Sequence, residues 1–385
     1  MTIDYAKITS QLAQLVAVPS VSSHDPRLDC SNRGVAELLA DWLEDLGLQI
    51  EWMPVERGTD KVNLIATWGS GEPGLVLSGH TDTVPCDEHG WSGDPFRLTE
   101  RDDNLYGLGS ADMKAFFPLV LEVLRTLDSQ RLRRSLVVLA TADEESSMAG
   151  VKALMASGRL TSGRVLIGEP TALRPIRMHK GVMIEIIRIH GHSGHASDPA
   201  SGRSALEGMH KVMTALLAWR EKLQRRFHDP MFAVQVPTLN LGHIHGGSSP
   251  NKICAECELH VDIRILPDMR AEVVRAELRE RVIRALEGTG LTADVAPLFG
   301  GVPPMCTPGE AEVVRVAEQL SGASAGSVAF GTEAPYFQQM GLEVVVLGAG
   351  DIACAHQPDE YVPMSNFEPM VKILRGFIEH FCVLN

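Results

Sequence analysis

Four short apolar runs, at 63–68, 75–78, 135–140 and 165–167, alternate with stretches of helical periodicity, and this alternation restricts the possible folds more than any other feature. Short, mainly apolar runs alternating with helical stretches predict an α/β sheet with helices packed on either side. Within 34–47, Val35, Leu38, Leu39, Trp42, Leu43 and Leu46 recur at helical spacing, with Ser31 or Asn32 as cap and Gly47 as stop. Further helices are predicted near 112–127 and 147–155.

The pattern changes after Lys180. MIEIIRIHG (183–191) alternates apolar and polar residues, as a strand with one wet face does. A long helix over 204–225, strands around 238–245 and 253–265 and a helix near 271–286 continue this second style. The first style then returns with a helix near 310–320, a strand at 344–347 and a closing helix near 368–382. We therefore expect an α/β domain in two parts, 1–180 and 291–385, interrupted by a smaller α+β domain at 181–290. A chain of 385 residues can supply both cores.

Composition removes several function classes. With 44% hydrophobic and 22% charged residues the chain is neither disordered nor fibrous. No apolar run approaches the roughly 18 residues of a membrane span, and MTIDYAKITSQLAQ lacks the charged-then-apolar layout of a secretory signal. Seven cysteines form an odd set with no dense framework, which suits reduced thiols in the cytoplasm. A net charge of −14 argues against nonspecific attraction to nucleic acid or anionic lipid, and it suits a cationic small-molecule substrate.

The chemistry-bearing residues sit where predicted strands run into loops: His80 after LVLSG, Asp112 after GLGSA, Glu144 and Glu145 after LVVLATAD, Glu169 after VLIG, and His356 after LGAGDIACA. Loops beyond the carboxyl ends of strands in an open α/β sheet can deliver such groups to one crevice. Imidazole and carboxylate donors without cysteine suit zinc, cobalt or manganese in a catalytic site. Two dications carry four positive charges, and Asp112, Glu145 and Glu169 with one hydroxide balance them, so the count indicates two metals. Asp112 is the expected bridge, and Asp82 is expected to orient His80 by accepting its other ring proton. Of the adjacent acids, we assign Glu145 to the metal and Glu144 to proton transfer, an order that spacing does not itself determine. Lys114 is read as a helix-start residue or a brace for a ligand, since two dications would repel it. Glu333 in GTEAP is a further candidate for contact with the substrate. Asn251 in SPNK is either an oxyanion or carboxylate donor or an ordinary turn residue.

Other motifs carry less. Gly322, Ser324 and Gly326 spell GxSxG but follow a predicted helix and precede a strand, the reverse of a nucleophile elbow. The GxG at Gly107 and Gly109 lacks the rest of a dinucleotide fingerprint. Cys254 and Cys257 are read as buried thiols, and His190, His192, His243 and His245 as structural or interface residues.

Together HTDTVP, GSADMK, DEES, GEP and AHQPDE are similar to the pattern of the aminoacylase and di-zinc exopeptidase superfamily. GHSGHASDP (191–199), TLNLGHIHGG (238–247), GTEAPYF and HQPDEYV resemble its deacetylase subgroup in particular. The resemblance implies a metal-dependent exopeptidase-like catalytic domain with an inserted dimerisation or lid domain, a homodimer, two divalent metal ions and removal of acetate from N2-acetyl-ornithine. It also implies the order assigned to Glu144 and Glu145, a role for His195 as oxyanion donor reaching in from the partner subunit, and a role for Arg264 in binding the substrate α-carboxylate. Succinyl-diaminopimelate desuccinylation, general N-acyl-amino-acid deacylation or dipeptide cleavage are the alternatives within that chemistry. A noncatalytic metal-stabilised binding protein is the alternative outside it, and such a protein has no use for the extra carboxylate of Glu144.

Overall fold

The computed structural model describes residues 3–55, 60–86 and 90–383. Two compact units emerge, one formed by Met1–Arg177, Thr307–Gly326 and Thr332–Asn385, the other by Met178–Cys306 and Ser327–Gly331.

In the first unit six strands lie side by side in the order Gln49–Val55, Lys61–Trp68, Ser135–Thr141, Pro73–His80, Arg164–Ile167 and Glu343–Val346. The first two pairings are antiparallel and the remaining three parallel. Every residue of Ser135–Thr141 is buried, as its unbroken apolar run requires. Gln49–Val55, which carries Pro54 and four exposed residues, takes the edge, where a missing N–H is tolerated. Leu75, Leu77, Leu136 and Val138 from the strands share a core with Leu39 and Leu43, with Leu119, Val120 and Val123, and with Leu374 and Phe377 from the helices.

Helix Arg33–Asp45 follows the expected periodicity. Of the two expected caps, Asn32 holds the N-cap position but its amide donates to the Val62 carbonyl and Thr81 Oγ1, and it is Ser31 Oγ that accepts a main-chain N–H, that of Arg33. The helix expected from Asp112 begins at Phe116. Asp112 and Met113 have non-helical backbone and are joined by a cis peptide. Phe116–Leu124 is buried along its whole length, the signature of an interior helix.

The second unit is a four-stranded antiparallel sheet in the order Thr238–Gly246, Glu256–Ile265, Gly181–His190, Thr292–Pro297. Cys257, Leu259, Val261, Ile263 and Ile265 alternate inward and share a core with Met209, Val212, Leu216 and Trp219 of helix Ala205–Arg226 and Val274, Leu278 and Val282 of helix Ala271–Leu286. Ser204 caps the longer helix by accepting the Glu207 N–H. The half-exposed strand Thr292–Pro297 pairs with Gly181–His190, so this unit runs past residue 290 to Cys306. Among the described residues no helix is long and apolar enough to cross a membrane, and no disulfide joins the cysteines.

Candidate metal centre

Three parallel neighbouring strands end at the same edge of the first unit's sheet, which brings their following residues together. His80 closes Pro73–His80, Glu144 and Glu145 follow Ser135–Thr141, and Glu169 follows Arg164–Ile167. Asp112 and His356 arrive on loops. His80 Nε2 lies 3.0 Å from Asp112 Oδ1 and 3.9 Å from Glu169 Oε2. His356 Nε2 lies 3.2 Å from Asp112 Oδ2 and 3.1 Å from Glu145 Oε1. Asp112 thus presents one oxygen to each imidazole. Donor atoms of His80, Asp112 and Glu145 lie within 4.8 Å of one another, as do those of His80, Glu144 and Glu169.

The electrostatics of this cluster fit divalent cations. Burial, reinforced by the charge of Glu169 and opposed by His80, raises the proton affinity of Glu144 well above the usual carboxylate range. Glu169 is raised in the same way by burial and by Asp112, and Glu145 by burial and Asp112 against the pull of His356. Burial works against charge on Asp112 as well, but hydrogen bonds from His356 and His80 outweigh it and lower its proton affinity. The imidazoles respond in kind. His356 is pushed up to about 11 by Asp112 and Glu145, and His80 rises well above its ordinary value despite burial. Four acids, three of them buried, share two imidazoles and are short of positive charge, and a set of oxygen and nitrogen donors without thiolate is one that zinc, cobalt or manganese accepts.

Surrounding groups hold the cluster in place. The His80 Nδ1–H donates to the main-chain carbonyl of Asp82 at 2.9 Å, not to its carboxylate, which stands 3.7 Å away. That is a correction to the expected contact, with a clear reason. The Asp82 carboxylate accepts the adjacent N–H groups of Glu144 and Glu145 at 3.2 and 3.1 Å, two buried donors that would otherwise lack a partner. Lys61 is buried beneath the same loop and donates to Asp143 Oδ1, Asp29 Oδ1 and Ser22 Oγ at 2.7, 2.7 and 2.8 Å. Sequence reasoning passed over Lys61, because a lysine at a strand start ordinarily reads as solvated. Lys114 braces from the other side, donating to the carbonyls of Leu15 and Val18 at the end of helix Tyr5–Val16. Burial lowers it to about 7 against the charges of Glu360 and Asp82. Gly350 has no room for a side chain, since a Cβ there would strike the Ala111 carbonyl oxygen.

Glu333 is buried in the same unit. Its Oε2 accepts from Thr141 Oγ1 at 2.9 Å, and Oε1 has no hydrogen-bond partner among the described residues. Burial raises Glu333 to about 8 against the Thr141 bond. The three remaining candidates lie in the second unit. His195 is exposed, its Nδ1 2.7 Å from Ser197 Oγ. The Asn251 carbonyl accepts the Ala196 N–H, and its side-chain oxygen accepts from Ser249 Oγ at 2.5 Å. Arg264 stands on the sheet face opposite the helices, its fork held by Asp262 at 2.8 and 2.9 Å. Gly322 ends helix Glu312–Ser321 ahead of strand Gly326–Val328, the helix-to-strand order that rules out an elbow.

Residues 76–380 match the family model described as peptidase family M20/M25/M40. The chain is 46% identical over 368 residues to an acetylornithine deacetylase of Edwardsiella ictaluri (strain 93-146), covering 96% of each chain. A tripeptidase from Staphylococcus aureus subsp. aureus Mu50 shares the fold with a TM-score of 0.79 at 21% identity, over 99% of both chains. A Bacillus subtilis protein described as a dinuclear metal binding peptidase from the M20 family superposes with a TM-score of 0.68 at 14% identity, over 97% of this chain and 98% of that one.

Proposed function

The chain belongs to peptidase family M20/M25/M40, and from that membership and the strand-end cluster we propose a two-metal amidohydrolase that removes the acetyl group from N2-acetyl-L-ornithine. The products are L-ornithine and acetate, a step of arginine biosynthesis. The observation that carries the two-metal part is Asp112, whose two oxygens face His80 and His356 separately. His80, Asp112 and Glu169 would hold one cation, and Asp112, Glu145 and His356 the other. Zinc is the ion assigned, and cobalt or manganese suits the same donors. When bound, the pair supplies Lewis acidity at the amide carbonyl and a nucleophilic water at neutral pH.

The protein's own groups do the rest. Glu144 takes the proton from the attacking water and passes it to the leaving amine. Its carboxylate lies among the donor atoms of His80 and Glu169, within reach of a water held there. Asp82 holds the main chain of Glu144 and Glu145 in register. Arg264 binds the substrate α-carboxylate with its planar fork, which in this structure already engages a carboxylate, that of Asp262. Glu333, with one oxygen unpartnered, accepts the substrate ammonium. Asn251 adds a donor toward the oxyanion or carboxylate. His195, supplied by the second subunit of a homodimer in the cytoplasm, donates to the tetrahedral oxyanion.

A substrate panel of N2-acetylornithine, N-acetylmethionine, succinyl-diaminopimelate and a dipeptide tests the proposal. N2-acetylornithine should give the highest kcat/KM, and Glu144→Ala should hydrolyse none of the four. A higher kcat/KM on another member would replace the substrate, and hydrolysis retained by Glu144→Ala would reject the mechanism.

A further inference from the structure

Asp112 and His356 reach the centre on loops almost 250 residues apart in sequence, and one side chain ties those loops together. Glu360, four residues beyond His356, is buried with its carboxylate turned back into the Asp112 loop. Its Oε2 accepts the Gly109 N–H at 3.0 Å, and its Oε1 accepts the N–H groups of Ala111 and Asp112 at 2.8 and 3.0 Å. Its main-chain carbonyl accepts the Gly107 N–H at 3.0 Å and the Ser110 hydroxyl at 3.4 Å. Five donors from one loop therefore converge on a single residue of the other. Asp112 and Met113 lie outside helical geometry, so no helix ladder satisfies this stretch. His356, for its part, has a positive φ and a half-exposed ring whose Nε2 faces Asp112 and Glu145.

We propose that Glu360 is a positioning residue that sets the placement of Asp112 relative to His356, and through them the spacing of the two cation positions. The proposal rests on the two-metal reading above. Glu360 itself touches neither substrate nor cation. It satisfies the main chain that Asp112 needs in order to point one oxygen each way.

Glu360→Gln is the informative variant, because its amide keeps one acceptor oxygen and turns an NH2 against an N–H of the loop. Cobalt titration of the metal-free proteins should give two equivalents for the wild type. In Glu360→Gln the weaker site should lose about 10- to 100-fold in affinity, the range for residues that orient metal ligands, and the visible cobalt spectrum should change. Substrate KM should hold while kcat falls at limiting metal and recovers with excess. Glu122→Gln removes another buried carboxylate of the same unit, one bound to Arg125 and the Asp4 N–H, and should leave isotherm and spectrum unchanged. A wild-type isotherm and spectrum in Glu360→Gln, or the same change in Glu122→Gln, overturns the proposal. Amide exchange gives a second arm that needs no metal and no variant: in metal-free wild type the amides of Gly109, Ala111 and Asp112 should be protected. Fast exchange at all three also overturns it. A wild-type titration that stops at one equivalent, with those amides protected, removes the two-metal reading and the spacing role with it, and so identifies which statement failed.

Discussion

Lys61→Met should destabilise the first unit by about 3 kcal/mol, the lower end of the range for removing one partner of a buried ion pair. Lys61 is 1% exposed and Asp143 fully buried, so the substitution strands a carboxylate that water cannot reach. Hydroxyls of Ser22, Ser146 and Ser147 still donate to Asp143, which is why the lower end applies. Asp29, 9% exposed, keeps the Ser23 N–H and adds little. For a domain of this size the melting temperature should fall by roughly 6–10 °C. Adding Asp143→Asn removes the stranded charge, so the double variant should regain about 1–2 kcal/mol relative to Lys61→Met, a coupling well outside additivity error. Urea unfolding of metal-stripped protein is the assay, since bound cations would mask the change through mass action. A Lys61→Met protein within about 1 kcal/mol of wild type, or a double variant that is simply additive, would refute the reasoning.

Four further outcomes can be measured. Burial holds His179 down at about 4, below its unfolded value near 6.5, so stability is full above pH 6.5 and about 3 kcal/mol is lost as pH falls from 6.5 to 4; His179→Gln should flatten that part of the urea-midpoint profile, and an unchanged slope counts against the assignment. Asp112→Asn should cost both cations in a cobalt titration and His356→Ala only one, so equal losses would deny Asp112 its shared position. Glu333→Gln should lower kcat/KM on N2-acetylornithine while sparing an acetylated apolar amino acid; a parallel loss on both would sink the ammonium role. Mixing His195→Ala with Glu144→Ala subunits should restore activity in the heterodimer, and a mixture as inactive as its parents would place His195 in cis.

What the sequence reveals follows from how local each determinant is. Runs 75–78, 135–140 and 165–167 are legible because strands buried on both faces must be apolar throughout, and the placement of His80, Glu144, Glu145 and Glu169 at their ends follows from the geometry of a parallel sheet. Strand Gln49–Val55 is not legible, since an edge strand with Pro54 has neither alternation nor an apolar run. DMKAFFPLVLEVL reads as one helix from Asp112 because composition does not register the backbone break at Asp112 and Met113. Strand Thr292–Pro297 is short, half-exposed and ends in proline, so the pattern change at 290 looks like a boundary when its pairing with Gly181–His190 carries the unit to Cys306. The bracing contacts are the least legible. Lys61 meets Asp143 across 82 positions and Glu360 meets Asp112 across 248, and nothing in the local spacing of either predicts its partner.

The first unit closes on itself only after a long excursion, since its sheet takes strand Glu343–Val346 beside Arg164–Ile167 once residues 178–306 have been laid down elsewhere. During synthesis, a nascent chain that has emerged as far as Glu169 already displays His80, Asp112, Glu144, Glu145 and Glu169 but has no His356 and no Glu360. Domains tend to fold in the order they emerge, yet this centre cannot. Its full set of candidate ligands exists only once the loop carrying His356 and Glu360 has been translated, although His80, Asp112 and Glu169 are all present far earlier.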